Sequence, residues 1–341
     1  MILITGGAGF IGSNFILDWL AGTDEPIVNV DALTYAGNPD NLAVLRGNPR
    51  YHFVQADINE HERLREIFAR FKPRAVIHMA AESHVDRSID APEVFFTSNV
   101  LGTVSLLKVA HAYYKALSLE QQAAFRFLHV STDEVYGALS PSEPAFTETS
   151  AYRPNSPYSA SKASSDHAVR AWIKTYGFPA IITHCSNNFG EFQYPEKLIP
   201  RLITQALAGH PLPIYGTGEN VRDWIDVHEH CRALRCLLSQ GQIGQTYNIG
   251  ANCEKTNLEM AQSICALLDE LRPLKGASYA QQIAFVTDRA GHDFRYAIDS
   301  TKIFKETGWH NQSSFMSALR RTVIWYLDHS DWLEALERKK R

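Results

Sequence analysis

Tyr158 and Lys162 are the residues whose types and spacing first suggest a reaction. They lie about one helical turn apart in the run from Pro157 to Tyr176, which the sequence predicts to be a helix. A lysine ammonium beside a phenol favours the phenolate and lowers a pKa that is ordinarily about 10. Such a phenol can take a proton from an alcohol while a hydride leaves the same carbon. Because most isolated pairs of this kind are surface residues, the interpretation depends on the rest of the chain.

Two adjacent carboxylates, Asp133 and Glu134, suggest a second chemistry. They follow an apolar run at residues 127–130 that predicts a strand. In a shared pocket the pKa values of two carboxyl groups are pushed apart, so that one can donate a proton and the other accept one. Elimination of water needs one group that donates a proton and another that accepts one. An isolated pair would more often cap a turn, but the predicted nearness of Tyr158 favours a catalytic role.

A glycine-rich loop follows the first predicted strand. It fits Gly-x-x-Gly-x-x-Gly at Gly6, Gly9 and Gly12, and equally Gly-x-Gly-x-x-Gly from Gly7, and it opens a predicted helix. Such loops bring the backbone and a helix N-terminus to a pyrophosphate. Asp31, at the end of the next predicted strand, is placed to bind an adenosine ribose and to repel the extra phosphate of NADP. The sequence therefore predicts NAD as the cofactor.

Two further strand ends carry candidate cofactor residues. Asp57 and Ile58 could flank the adenine ring, and Asp57 could equally cap the following helix. The small residues Ala80 and Ala81 would let a dinucleotide lie against the backbone at the carboxyl edge of the sheet.

The order of elements predicts an α/β fold with a doubly wound parallel sheet, because apolar strands alternate with amphipathic helices up to about residue 190. We expect residues 1–190 to form an NAD-binding Rossmann domain that carries the catalytic residues. Residues 191–330 are expected to form mainly a smaller α/β lobe, partly interleaved with the first, that binds the substrate. Residues 331–341 are expected to be a polar tail that frays.

The composition excludes several classes of function. A net charge of −4 gives no support for nucleic-acid binding. The five cysteines show no paired metal spacing, and no His-x-x-x-His is present, so a metal site is not expected. We expect a cytoplasmic protein with reduced thiols, no leader, no membrane partner and no apolar run long enough to span a bilayer.

Motifs along nearly the whole chain point to one family. They are residues 5–12, 31–38, 80–88, 131–137, 158–162, 185–190, 195–200, 213–216, 222–224, 247–250 and 288–293. Together they resemble the extended short-chain dehydrogenase/reductases that modify nucleotide sugars, and among these the 4,6-dehydratases of dTDP-glucose. Epimerases and decarboxylases of the superfamily share the glycine loop and the Tyr/Lys pair. They usually have a different sequence where this chain has Thr132, Asp133 and Glu134.

The resemblance implies a role for each catalytic residue. Tyr158, assisted by Lys162 and Thr132, would take the proton of the sugar 4-hydroxyl as hydride passes from C4 to NAD. Glu134 would then remove the C5 proton, and Asp133 would protonate the departing 6-hydroxyl. Hydride would return to C6, so the cofactor is expected to stay tightly bound.

The resemblance also implies two sets of binding residues. The cofactor set is Gly6, Gly9, Phe10, Ile11, Gly12, Asp31, Ala32, Leu33, Thr34, Asp57, Ile58, Ala80, Ala81, Ser83, Ser98, Tyr158, Lys162 and Asn187. The substrate set is Ser83, Thr132, Asn188, Lys197, Leu198, Pro213, Tyr215, Arg222, Asn257, Arg289 and His292. A homodimer through the helices near residues 91–116 and 159–176 is implied as well.

Three alternatives stay open at this point. A sister dehydratase would act on a CDP- or GDP-sugar. A 4-epimerase would turn over the keto-sugar and have no use for the carboxyl pair. A protein that binds NAD only as a scaffold or sensor would have no need of Tyr158, Lys162, Asp133 or Glu134, all of which are present.

Overall fold

A seven-stranded parallel sheet forms the centre of the protein, whose computed structural model describes residues 1–288 and 292–340. The strands are, in chain order, β1 (Ile2–Thr5), β2 (Ile27–Asp31), β3 (Tyr51–Gln55), β4 (Ala75–His78), β5 (Arg126–Thr132), β6 (Ala180–Cys185), β7 (Asn187–Phe189), β8 (Leu212–Tyr215), β9 (Val221–Asp226), β10 (Thr246–Ile249), β11 (Glu254–Thr256), β12 (Ile283–Val286) and β13 (Arg295–Tyr296). The large sheet has the order β10-β6-β5-β4-β1-β2-β3, and every pair in it is parallel. The predicted doubly wound fold is confirmed.

Helices cover both faces of this sheet. They are α1 (Phe10–Gly22), α2 (His61–Phe71), α3 (Val85–Asp90), α4 (Pro92–Phe95), α5 (Thr103–Ala116), α6 (Leu119–Ala124), α7 (Pro157–Tyr176), α8 (Leu198–Leu207), α9 (Val227–Gln240), α10 (Asn257–Leu271), α11 (Thr301–Thr307), α12 (Phe315–Asp328) and α13 (Ser330–Lys340). One apolar core lies between the sheet and α1, α9 and α11, and a second lies between the sheet and α2, α5 and α7. The strand order switches at β1: β2 and β3 extend the sheet on one side of it, and β4, β5 and β6 extend it on the other. Folds of this kind bind ligands at this switch point, outside the carboxyl ends of β1 and β4.

Helix α7 has the predicted bounds. Ser156 caps its N-terminus and forms a capping box with Ser159, Pro157 occupies the first turn, and Gly177 ends the helix with φ +62°. Its inward face carries Lys162 and Asp166, which are both buried. The capping residues therefore fix the start of the helix next to Tyr158.

The predicted helix at residues 91–116 contains a π-helical segment, Phe96–Gly102, between α4 and α5. This segment lets Ser98 line the central cavity while Asn99 binds the backbone of Glu82 at both its N–H and its C=O. The expectation of no run long enough to span a bilayer was wrong, because Pro92–Ala116 meets the length and composition of a membrane span. Buried residues make up 44% of an 18-residue apolar stretch within it, and core helices of globular proteins meet the same criteria of length and composition.

The second part of the chain forms smaller sheets with their own core. Strand β9 pairs with β7, β11 and β13, and β8 pairs with β12. Helices α8, α10 and α12 pack around a separate apolar cluster. The chain nevertheless crosses back, because β10 extends the large sheet beside β6 and α9 packs on α1.

The C-terminal residues differ from the predicted tail, because Ser330–Lys340 forms helix α13. Trp332 and Leu333 pack on the second core, and the Trp332 indole donates to Asn41 Oδ1 at 2.8 Å. An apolar stripe within a largely charged segment is therefore enough to dock the helix.

Candidate active site

One cavity of about 450 Å³ lies at the carboxyl ends of the large sheet and extends between the two parts of the chain. It gathers almost all of the predicted cofactor residues: Gly6, Gly9, Phe10, Ile11, Gly12, Asp31, Ala32, Thr34, Asp57, Ile58, Ala80, Ala81, Ser83, Ser98, Tyr158, Lys162 and Asn187. Leu33 does not line the cavity. Its φ is +55°, and its N–H donates to Asp31 Oδ1, so it shapes the loop instead.

The glycine loop is packed so tightly that side chains cannot replace Gly6 or Gly12. A Cβ on Gly6 (φ +72°) would lie 2.6 Å from the backbone nitrogen of Ala80, and one on Gly12 would lie 2.3 Å from the carbonyl oxygen of Gly6. Asp31 accepts from the N–H groups of Ala8 at 2.9 Å and Leu33 at 2.8 Å. A loop that meets the N-terminus of α1 and carries a fixed carboxylate fits a dinucleotide.

A second observation supports the fit to a cofactor. The side-chain oxygen Oδ1 of Asn187 is enclosed and has no hydrogen-bond partner among the described residues. Asn187 lines the same cavity. A buried polar atom without a partner is costly, so a donor from a bound ligand would satisfy it.

Tyr158 and Lys162 lie together in the cavity wall, but their electrostatics differ from the expectation. Burial raises the pKa of Tyr158 well above its ordinary value, and the charge of Glu134 raises it further. Lys162 Nζ donates to the carbonyl oxygen of Val130 at 2.9 Å, and burial lowers its pKa. The prediction that Lys162 lowers the phenol pKa was therefore wrong for the protein without a bound cofactor, because desolvation of the phenol has the larger effect.

Asp133 and Glu134 lie at the end of β5. This strand is longer than predicted and includes Thr132, whose hydroxyl accepts from the Glu134 N–H and caps the short 3-10 turn Asp133–Tyr136. Asp133 is only 2% exposed. Burial raises its pKa well above the ordinary value for aspartate, and the charge of Glu134 adds to the rise. The shift favours the protonated form of Asp133 beside a second carboxyl group.

The predicted substrate residues also line this cavity, apart from Arg289, which lies outside the described residues. Those in the lining are Ser83, Thr132, Asn188, Lys197, Leu198, Pro213, Tyr215, Arg222, Asn257 and His292. Lys197 Nζ donates to the carbonyl oxygen of Ser83 at 2.6 Å. Arg222 donates to the carbonyl oxygens of Val221 at 2.7 Å and Asp293 at 3.0 Å.

Comparison with known proteins agrees with this site. A sequence profile for the family described as GDP-mannose 4,6 dehydratase matches residues 3–322. The dTDP-glucose 4,6-dehydratase of Neisseria meningitidis serogroup B is 53% identical over 334 residues, which cover 97% of this chain and 94% of that protein. The dTDP-glucose 4,6-dehydratase 1 of Escherichia coli K12 is 52% identical over 98% of this chain and 94% of its own length. The chain belongs to the dTDP-glucose 4,6-dehydratase family.

Solved structures separate this dehydratase family from its epimerase relatives. DesIV, the dTDP-glucose 4,6-dehydratase of Streptomyces venezuelae solved with NAD bound, is 44% identical with a TM-score of 0.89 over 98% of this chain and 99% of its own. The UDP-glucose 4-epimerase of Thermotoga maritima has a TM-score of 0.83 over 96% and 98% of the two chains, but only 26% identity. The family resemblance predicted from the motifs is confirmed, and the epimerase shares chiefly the fold.

In this member of the dehydratase family, the sequence analysis missed a group of residues at the cavity rim. Tyr35 donates to Glu196 Oε1 at 2.8 Å, and the Arg87 guanidinium lies 4.0 Å from the centre of the Tyr35 ring. His84 Nε2 lies 3.5 Å from Glu196 Oε2. These contacts join segments far apart in the sequence, so their spacing gave no signal, although each of the residues lies within a quoted motif.

Proposed function

We propose that the protein converts dTDP-glucose to dTDP-4-keto-6-deoxyglucose and water, with NAD as a retained cofactor. The observation that carries the proposal is the buried Asp133 beside Glu134, in one cavity wall with Tyr158 and Lys162. An epimerase has no step that uses a carboxyl pair of this kind. A protein that only binds the cofactor would not need to bury an aspartate at an energetic cost.

The cofactor fits the glycine loop, Asp31 and Asn187. When bound there, NAD would accept hydride from the sugar C4 and return it to C6. Asp31 would accept hydrogen bonds from ribose hydroxyls, since each of its oxygens has capacity beyond the single backbone N–H it already binds. Its charge would disfavour the additional phosphate of NADP.

Oxidation at C4 is assigned to Tyr158. As the phenolate, Tyr158 would take the proton of the sugar 4-hydroxyl. Thr132 supports this role, because a hydrogen bond from Thr132 opposes the upward shift of the Tyr158 pKa. Lys162 places a positive charge in the same wall. The oxidised nicotinamide also carries a positive charge, so a bound cofactor would further favour the phenolate.

Elimination is assigned to the carboxyl pair. The 4-ketone acidifies the C5 hydrogen, which Glu134 would remove as general base. Asp133 would donate its proton to the departing 6-hydroxyl, and the upward shift of its pKa favours the protonated form that this step needs. The same two groups can return a proton to C5 when hydride reaches C6.

The nucleotide is assigned to the wall opposite the catalytic residues. Lys197 and Arg222 supply positive charge there, and Tyr215 lies edge-on to His292 with ring centres 6.1 Å apart. We propose that these cations bind the diphosphate and that Tyr215 borders the base. Arg222 would exchange some of its carbonyl contacts for phosphate oxygens.

We further propose a cytoplasmic homodimer. Val94, Phe96 and Leu101 are exposed by 51%, 40% and 60% along the run from α4 to α5, as an apolar face that a second copy would cover. The cysteines are free thiols, which agrees with a reducing compartment. Light scattering is expected to give twice the mass of the chain, and a monomer would contradict the dimer.

The variant Glu134→Gln tests the function most sharply. It keeps the size of the side chain but removes the base, so C4 oxidation proceeds while elimination slows about a hundredfold or more. After rapid mixing with dTDP-glucose, absorbance of enzyme-bound NADH is expected to rise and persist. Glu66→Gln, exposed on α2, is the matched control and is expected to turn over like the wild type. Product formation by Glu134→Gln at the wild-type rate would contradict the assignment.

A further inference from the structure

Asp166 is a buried carboxylate that the mechanism above does not use. It lies one helical turn after Lys162 on the inward face of α7 and is 1% exposed. It does not line the cavity. A charge removed from solvent in this way must be held by specific partners.

The partners of Asp166 come from the two strands that end at the active site. Its Oδ2 accepts from Ser131 Oγ on β5 at 3.0 Å and from His184 Nε2 on β6 at 3.0 Å, since a carboxylate can only accept. Its Oδ1 lies 3.1 Å from His129 Nε2 on β5. Ser131 directly precedes the catalytic Thr132.

The contacts of the two histidines extend this network. His184 Nδ1 lies 2.7 Å from the hydroxyl of Tyr136, which belongs to the same short turn as Glu134. His129 Nε2 lies 3.2 Å from Ser165 Oγ, and Ser165 donates to the carbonyl oxygen of Lys162 at 2.8 Å. The network therefore joins the helix that carries Tyr158 and Lys162 to the strand and turn that carry the carboxyl pair.

Asp166 also supplies negative charge to Lys162. Burial lowers the pKa of Lys162, and Asp166 is the first of the groups that oppose this shift. The other titratable groups near Lys162 are Tyr158 on the same helix, His78 on β4, His129 on β5 and Cys185 on β6. Burial lowers the pKa of both histidines, raises that of Tyr158 and raises that of Cys185 to about 12, so it favours the uncharged form of all four groups.

Asp166 itself stays ionised within this network. Burial alone would raise its pKa, but the contacts from His129 and His184 outweigh burial, and the net shift is downward.

We propose that Asp166 is a positioning residue for the reaction. It fixes α7 against the ends of β5 and β6, and its negative charge stabilises the ammonium form of Lys162. The proposal rests on the proposed function, because it concerns the same oxidation at C4. It assigns to Asp166 no contact with substrate or cofactor. A residue that served folding alone would affect stability without changing how the rate depends on pH.

The test is the pH dependence of bound NADH formation after rapid mixing with dTDP-glucose, in the wild type, Asp166→Asn and Asp166→Glu. Without the charge of Asp166, Lys162 loses its proton at lower pH. The alkaline side of the pH–rate profile, where the rate falls as pH rises, is therefore expected to shift to lower pH by about one unit or more in Asp166→Asn. Its rate at the optimum falls about tenfold or more through misplacement of Tyr158. Asp166→Glu keeps the charge, and the alkaline side of its profile is expected to stay in place while its rate falls.

Asp269→Asn on α10 is the matched control. That carboxylate accepts hydrogen bonds from Ser278 and Tyr279 in the second core. Its loss is therefore expected to leave the rate of NADH formation and its dependence on pH unchanged. A folded Asp166→Asn with the alkaline side of its profile at the wild-type position would overturn the proposal. Should Asp166→Asn fail to fold, Asp166→Glu decides, because an unchanged rate or a shifted alkaline side contradicts the proposal. A wild type that forms no 4-keto-6-deoxy product from dTDP-glucose would instead overturn the proposed function, and this inference with it.

Discussion

The two walls of the cavity hold their polar side chains in different ways. On the catalytic wall, Thr132, Asp133 and Lys162 are buried and fixed by the strand β5 and the helix α7. On the substrate wall, Arg222 on β9 is also buried, but it and the half-buried Lys197 at the start of α8 reach backbone carbonyl oxygens of other segments, those of Phe294 and Ser83. A fixed wall suits groups that must meet a transition state, whereas the cations opposite must exchange partners when a ligand binds. We therefore expect changes on the first wall to lower kcat and changes on the second to raise KM.

The largest effect is expected for Tyr158→Phe. Loss of the phenol hydroxyl removes the group that takes the 4-hydroxyl proton, so bound NADH forms about a thousandfold more slowly. The measurement is absorbance after rapid mixing with dTDP-glucose. Tyr176→Phe, at the exposed end of the same helix, is the matched control and should behave like the wild type. Normal NADH formation without the Tyr158 hydroxyl would refute the role of the catalytic wall.

Lys197→Met probes the opposite wall. It keeps much of the side-chain length and removes the charge, so KM for dTDP-glucose is expected to rise about tenfold with kcat changed by no more than about threefold. Steady-state kinetics distinguish the two parameters. Lys305→Met, exposed on α11, is the control. A fall in kcat with unchanged KM would show that the two walls do not divide binding and catalysis in this way.

The smallest effect concerns stability at the catalytic wall. Asp133 has a folded pKa above its unfolded value, so the folded state binds more protons, and stability falls as pH rises from the unfolded pKa through the folded pKa. Asp133→Asn removes this penalty. The variant is expected to lose activity and to gain about 1 kcal/mol at neutral pH, seen as a higher midpoint of thermal unfolding that falls less steeply with pH than that of the wild type.

Asp226→Asn gives the opposite sign for the same substitution. Asp226 is buried, accepts from the His228 N–H at the start of α9 and pairs with Arg321. Its neutralisation is expected to lower the midpoint of thermal unfolding. If Asp133→Asn were destabilising to a similar degree, the carboxyl group of Asp133 would not be held at an energetic cost for catalysis.

Much of the catalytic wall could be predicted because its residues stand at strand ends with short, local motifs. Gly6, Asp31 and Thr132 follow apolar strands, and the parallel sheet brings those ends to one edge. The helix from Pro157 to Tyr176 was predicted with the observed bounds because its capping residues and its terminal glycine are adjacent in the sequence.

The remainder depends on contacts between distant segments. The pKa of Tyr158 is set by burial under other elements, and the pairing of Tyr35 with Glu196 spans 161 residues. The return of β10 to the large sheet and the docking of Trp332 on Asn41 follow from packing that no local pattern encodes. Tertiary burial thus decided the features that local reasoning predicted wrongly or missed.

The central claim is that the two walls together carry out an internal redox cycle that ends in loss of water. The most direct test is mass spectrometry of the nucleotide sugar after incubation of the purified protein with dTDP-glucose and no added reductant. We predict a product lighter by the mass of one water, with no NADH released into solution. A product of unchanged mass with an inverted hydroxyl group would contradict the account and identify an epimerase.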